Sequence, residues 1–129
     1  MDGPGELVGR WSLTRRLADR RAGVLGTMSG ALVIGPDGDG LRWAESGVLR
    51  WAGREVPATR TYLLRDGWVL FEDGRPFHPW RPGRPVTHPC RDDLYTGLIA
   101  VDGDRLRVLW DVRGPTKDQR IVTRCRRTA

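Results

Sequence analysis

Ile34-Gly35-Pro36-Asp37-Gly38-Asp39-Gly40-Leu41-Arg42-Trp43 is the stretch on which the fold turns. Its centre, Pro36 to Gly40, combines a residue with fixed φ and Asp-Gly steps that tolerate positive φ, the chemistry of a tight hairpin loop. On its far side Leu41, Trp43, Gly47, Leu49 and Trp51 share one phase of a two-residue period, as on the inner face of a strand. Glu45 falls in the same phase, and a carboxylate on an apolar face needs a partner. On its near side, Val24 to Ile34 carries Gly26 and Gly30, which break a helix but suit a strongly bent strand.

The pattern repeats outward. Trp11, Leu13 and Leu17 alternate with Ser12, Thr14 and Arg16, and Arg20-Arg21-Ala22-Gly23 turns that strand into the next. Pro57 opens a segment through Thr59, Tyr62 and Leu64, and Arg65-Asp66-Gly67 turns it into Trp68 to Glu72. From Asp73 to Arg91 five prolines (Pro76, Pro79, Pro82, Pro85, Pro89) and both histidines read as a loop laid over an opening. Strand character returns at Leu94 to Val101. Asp102-Gly103-Asp104 turns it into Leu106, Val108, Trp110 and Val112, and Gly114-Pro115 leads to a last segment, Lys117 to Arg126. About eight antiparallel strands joined by hairpins expose two edges unless the first pairs with the last, so the expected fold is an all-β up-and-down barrel. An open sandwich is the alternative.

The totals agree with one domain over residues 1–129, of 14.5 kDa, with 39% hydrophobic and 29% charged residues. No apolar run approaches the roughly 20 residues of a membrane helix, and no secretory leader is readable, so the expected location is cytoplasmic. Cys90 and Cys125 belong to no paired motif and are expected as free thiols. Net charge is +6 with pI near 10.5. The excess is mostly arginine scattered along the chain and alternating with apolar residues, which reads as the wet face of strands rather than as a nucleic-acid module.

Two groups of residues carry candidate chemistry. His78, His88 and Cys90 lie in or beside the proline-rich segment, followed by Asp93 and Tyr95. Imidazoles beside a carboxylate and a phenol suit proton transfer near neutral pH, and Trp80 is placed to cap a ligand. The bland reading makes both histidines surface residues packed on Trp80 or Phe77. A metal reading, or haem held through His78 or His88, uses the same atoms, but the spacing matches no structural zinc pattern, so no metal and no cofactor is called for. The second group is Arg15 among Trp11, Leu13 and Leu17, Glu45 among Trp43 and Leu49, and Arg60 beside Tyr62 and Leu64. Together they would make the interior a polar cup, unless bulges at Gly26, Gly30 or Gly47 shift the register and send them to solvent. Lys117 with Asp118 reads as a corner ion pair; an imine-forming lysine would need a depressed pKa.

Gly9-Arg10-Trp11 resembles the Gly-x-Trp that opens lipocalins and other calycins, in which the Trp plugs the closed end of the barrel. The resemblance implies an Arg near the end of the last strand packing over that Trp, here Arg124 or Arg126. A longer match runs through Asp37-Gly38-Asp39-Gly40, Ala58-Thr59-Arg60, Asp73-Gly74-Arg75-Pro76-Phe77-His78, His88-Pro89-Cys90-Arg91-Asp92-Asp93-Leu94-Tyr95 and Val112-Arg113-Gly114-Pro115-Thr116-Lys117-Asp118. Over nearly the whole chain these resemble an uncharacterised family of small lipocalin-like proteins. The last strand in that pattern commonly carries tyrosines where this chain has Gln119 and Cys125.

The expected function is therefore binding of a small organic, anionic or hydrogen-bonding molecule in a partly polar cup. Its catalytic candidates are His78, His88, Asp93 and Tyr95. Its ligand-binding candidates are Arg15, Glu45, Arg60, Tyr62, Arg75, Trp80, Cys90 and Lys117. Cofactor-free acid/base chemistry, such as isomerisation, cyclisation or dehydration, stays open beside plain binding. So does a basic adaptor for an anionic partner, with a filled core and one strongly positive outer face. Neither a membrane nor nucleic acid is the expected partner, and a homodimer is left open.

Overall fold

The computed structural model describes residues 3–128. A short 3-10 segment, Pro4–Leu7, precedes ten strands: β1 Gly9–Asp19, β2 Val24–Asp37, β3 Gly40–Trp51, β4 Arg54–Arg65, β5 Trp68–Phe71, β6 Pro76–Pro79, β7 Val86–Cys90, β8 Asp93–Asp102, β9 Arg105–Arg113 and β10 Asp118–Arg127. All pairings are antiparallel, in the order β6-β5-β4-β3-β2-β1-β10-β9-β8-β7. Each hairpin neighbours the next, and β1 pairs β10 from Trp11↔Arg127 to Asp19↔Gln119, so the first and last long strands do close on each other. The result is a nearly closed all-β barrel.

The count is ten rather than about eight because the proline-rich segment is not a plain loop. Pro76–Pro79 pairs with β5 and Val86–Cys90 pairs with β8, and these two short strands are the free edges of the sheet. A proline has no N–H to give a ladder, which confines it to edge strands and reads from sequence as punctuation. β6 and β7 approach each other without a backbone ladder, and this seam is the one interruption of the wall among the described residues. The connection between them, residues 80–85, does not cover the mouth. It crosses the closed end, where Trp80 N donates to the Gly67 carbonyl at 2.8 Å and Gly83 N to the Ile99 carbonyl at 2.7 Å.

The closed end is built around Trp11, which has no solvent exposure and donates its indole N–H to the Leu7 carbonyl at 3.0 Å. The cation over its ring is Arg127, with the guanidinium carbon 4.3 Å from the ring centroid. Arg124 and Arg126 are exposed, which corrects the residue expected there. Strand alternation gives the reason: Thr123, Cys125 and Arg127 share the inner phase of β10, and Arg124 and Arg126 share the outer one. Arg127 also donates to the carbonyls of Val8 at 2.9 Å and Glu6 at 2.7 Å, tying the 3-10 segment down. Gly9 has φ +143, and a Cβ there would lie 2.8 Å from Arg127 Nη1, so the Gly-x-Trp glycine makes room for the arginine that covers the Trp.

Leu13, Leu32, Ile34 and Leu106 fill the barrel above this plug. The glycines of β2 and β3 produce no bulge: the register runs unbroken from Gly26↔Trp51 to Asp37↔Gly40. They permit close approach instead, since a Cβ on Gly30 would run into the Ser46 carbonyl and the Gly47 backbone. With the register intact, Arg15 and Glu45 keep their inward phase.

Candidate functional site

Above the filled end lies a cavity of about 560 Å³, within the usual range for small-molecule sites. Two chemically different surfaces face each other across it. One is a wall of rings contributed by the seam strands and their neighbours. Phe77 stacks on Trp110 with centroids 5.1 Å apart and on Phe71 at 4.6 Å, and Tyr62 stacks on Phe77 at 5.5 Å. His78 and His88 stand edge-on to Phe77 at 4.7 and 5.0 Å. Gly97 admits this arrangement, because a Cβ there would meet the Trp110 ring at 2.5 Å.

The opposite surface is polar. Arg15 Nη2 donates to Glu45 Oε1 at 2.8 Å and its Nε to Thr123 Oγ1 at 2.8 Å, and Trp43 Nε1 donates to Glu45 Oε2 at 3.0 Å. The Glu45 side chain is only 5% exposed, and these bonds give each of its carboxylate oxygens a donor. Arg60 lines the same cavity and donates to the Tyr62 hydroxyl at 3.4 Å, with no carboxylate partner among the described residues. Burial holds the Tyr62 phenol above its ordinary pKa, partly opposed by Arg60, so it stays protonated.

His78 is 2% exposed, and its Nδ1 lies 2.8 Å from the Pro79 carbonyl. A carbonyl only accepts, which assigns the proton to Nδ1 and leaves the Nε2 lone pair free. Burial lowers the His78 pKa; the bond to Pro79 opposes this and the nearby His88 adds to it. The ring is therefore neutral at pH 7. The unfolded chain takes up this proton at the ordinary imidazole pKa and the folded chain only at a lower pH. The group therefore withdraws stability as pH falls and leaves it intact above the ordinary value. A His78→Gln variant should lose less stability than the parent between about pH 7 and about pH 5 in urea unfolding; an equal loss would contradict the assignment.

Of the residues singled out in the sequence, Arg15, Glu45, Arg60, Tyr62, His78 and Trp80 line the cavity, as do His88, Cys90 and Tyr95. Three do not. Arg75 sits in the β5–β6 turn, bonded to Asp73 at 2.7 Å and lying over Phe71. Asp93 and Lys117 stand at the rim, paired with each other at 3.3 Å. The partner of Lys117 is thus Asp93; Asp118 bonds Arg20 at 2.8 Å. Its bonds to Asp93 and its proximity to Tyr95 raise the Lys117 pKa, opposite to what imine chemistry requires. No hydrogen bond joins either imidazole to Asp93 or Tyr95 among the described residues, and His88 meets Tyr95 only edge-on at 6.0 Å.

Trp80 lines the floor rather than a cap. It lines both the cavity and an outer cleft of about 340 Å³ at the closed end, and its buried Nε1 has no hydrogen-bond partner among the described residues. Sequence reasoning missed Trp110 and Thr123 as site residues, although both share the inner phase of their strands with apolar neighbours. Gln119 lines the cavity, whereas Cys125 belongs to the core, its thiol pKa pushed up to about 12 by burial. No three His, Cys, Asp or Glu side chains converge so as to hold a metal ion among the described residues. No helix among them is long and apolar enough to cross a membrane.

A meandering barrel plugged by a Gly-x-Trp tryptophan under an arginine, with an open cup above, defines a calycin-like protein. Residues 7–127 match the model of a family of unknown function, DUF6314, and the chain belongs to that family. Among solved structures it is similar to an S-type phycobiliprotein lyase, CPES, from Guillardia theta. The TM-score is 0.64 with 12% identity, over 97% of this chain and 90% of that one. It is also similar to a protein of unknown function from the DUF3598 family of Nostoc punctiforme, with TM-score 0.56, 13% identity and 98% of this chain covered. This chain spans about half of the latter, 49% of its length. No curated protein matches. At such identities the likeness is one of fold.

Proposed function

We propose that the barrel binds a small, flat, unsaturated molecule carrying an acidic group. The observation that carries this reading is Arg60, a cation lining the cavity without a carboxylate partner among the described residues, beside a wall of stacked rings. Arg15 is neutralised by Glu45, so Arg60 supplies the uncompensated charge. A ring system laid against Phe77 and Trp110 with its anion toward Arg60 and the Tyr62 hydroxyl satisfies both surfaces. The fold shared with a phycobiliprotein lyase supports ligand handling in general without naming the ligand.

Anilinonaphthalene sulfonate, an aromatic anion, is a suitable probe. Ala58 lines the cavity and Thr96 faces outward on β8, so Ala58→Phe should weaken dye binding by about tenfold while Thr96→Phe leaves it unchanged. Arg60→Gln should weaken it to a smaller degree. Equal binding by all of these would refute the cavity as the site.

A second reading, cofactor-free proton transfer, rests on one observation: His78, a neutral imidazole tied through Nδ1 to the Pro79 carbonyl, lines the same cavity. It requires that a molecule co-purifying with the protein change in mass or absorbance on incubation, and that His78→Gln stop the change without releasing the molecule.

A further inference from the structure

We infer that the outer face of β1, β10 and β9 is a docking surface for an acidic protein segment. In sequence the arginines are dispersed, but the register gathers them. Arg124 lies directly opposite Arg107, and Arg126 directly opposite Arg105, all four exposed on the outside of the barrel. Arg10 and Arg16 extend the same face on β1. None of the six forms an ion pair among the described residues, whereas Arg42, Arg50 and Arg75 elsewhere on the surface each sit against a carboxylate. Like charges directly across a sheet are destabilising, and here two such pairs stand in succession. Folding alone gives no reason to place them there, and an anionic partner would reverse the sign of their contribution.

The floor between the guanidiniums is low. Ser12 and Thr14 occupy the outward positions beside Arg126 and Arg124, their hydroxyls turned back onto the Arg126 and Arg124 carbonyls, and Ala100 lies beside Arg107. Alternate positions along a strand lie about 6.7 Å apart and neighbouring strands about 4.8 Å apart. Alternate side chains of an extended peptide have the first of these spacings, so a segment with acidic residues at every second position can present one carboxylate to each row. The planar fork of arginine suits carboxylates in that geometry. Nucleic acid fits less well: the face carries no aromatic side chain for base stacking and no element protruding to enter a groove. A flat membrane would touch only the crest of a convex wall.

The test uses the full chain with fluorescent poly-L-glutamate, read by anisotropy at fixed ionic strength. The double variant Arg107→Glu/Arg124→Glu should bind about tenfold more weakly than the parent. Arg42→Glu/Arg50→Glu changes net charge equally on another part of the surface and should lose less than about threefold. Unchanged dye binding in the cavity reports that both fold. If the charge reversal prevents folding, Arg107→Gln/Arg124→Gln replaces it. That variant should also melt higher, by roughly 1–3 °C, because it removes a cross-strand repulsion. Three results would overturn the inference: no binding of poly-L-glutamate, equal loss in both charge-reversed variants, or tighter binding of oligothymidylate or phosphatidylserine vesicles through the same arginines.

Discussion

Trp11→Ala is expected to destabilise the fold by about 4 kcal/mol, a large part of the stability of a domain this size, and to lower Tm by roughly 12–20 °C. The magnitude follows from what the side chain does. It is wholly buried at the closed end, holds the Leu7 carbonyl through its N–H, and supports Arg127, which in turn fastens Glu6 and Val8. Deleting it opens a void that neither Leu13 nor Leu106 can fill and leaves a buried carbonyl without its donor. Trp11→Phe should cost about half as much, because it keeps most of the packing and loses the hydrogen bond. Thermal unfolding followed by circular dichroism checks both. A loss below about 1 kcal/mol for the alanine variant would mean that the plug is dispensable.

Arg15→Met should cost about 3 kcal/mol, for a different reason. The lost attraction matters less than the state it leaves: the Glu45 carboxylate, 5% exposed, keeps only the Trp43 N–H among the described residues. Water in the cavity can approach, which places the effect at the lower end of the range for broken buried pairs. The pairing hypothesis has a sharper signature than its size. Arg15→Met/Glu45→Gln removes both charges and keeps an acceptor for Trp43, so urea unfolding should show most of the loss recovered. If the double variant is as unstable as the sum of the two single variants, the charges were not coupled.

The hairpins were legible because turn chemistry is local. Asp66-Gly67 and Gly103 adopt positive φ as their residue types allow, and the alternation of Trp43, Glu45 and Leu49 by itself places a carboxylate inside. The inward phase of Arg15 was legible for the same reason. Two failures come from edges and ends. The strands bearing His78 and His88 looked like loop because the signal that marks a loop, proline, also marks an unpaired edge. The arginine over Trp11 was misplaced to its neighbours because the last strand runs on to Arg127, opposite Trp11, so its inner phase is set by that partner.

What was not legible depends on neighbours across strands. Nothing in the spacing of Arg105, Arg107, Arg124 and Arg126 indicates that they meet, so a face that is strongly positive in space read as dispersed charge. Asp93 looked like a partner for the histidines by proximity in sequence, and Lys117, brought over from the entry to β10, takes it instead. The size of the cup is of the same kind. It follows from how far the rings of β6 to β9 stand from Arg15 and Glu45, a distance set by closure of the whole sheet.

A molecule with rings and an acidic group, held inside the barrel as proposed, lies against indole rings, and the tryptophans report on it directly. Of six, Trp43, Trp80 and Trp110 line the cavity, while Trp11 lies in the plug, Trp68 is exposed beside the outer cleft and Trp51 stands at the open end of β3. A titration with anilinonaphthalene sulfonate followed by the indole N–H signals in nitrogen-15 NMR should therefore shift Trp43, Trp80 and Trp110 together and leave the other three in place. Shifts confined to Trp68 and Trp80 would put the dye in the outer cleft, and shifts at Trp51 alone would put it on the rim; either result contradicts an interior site.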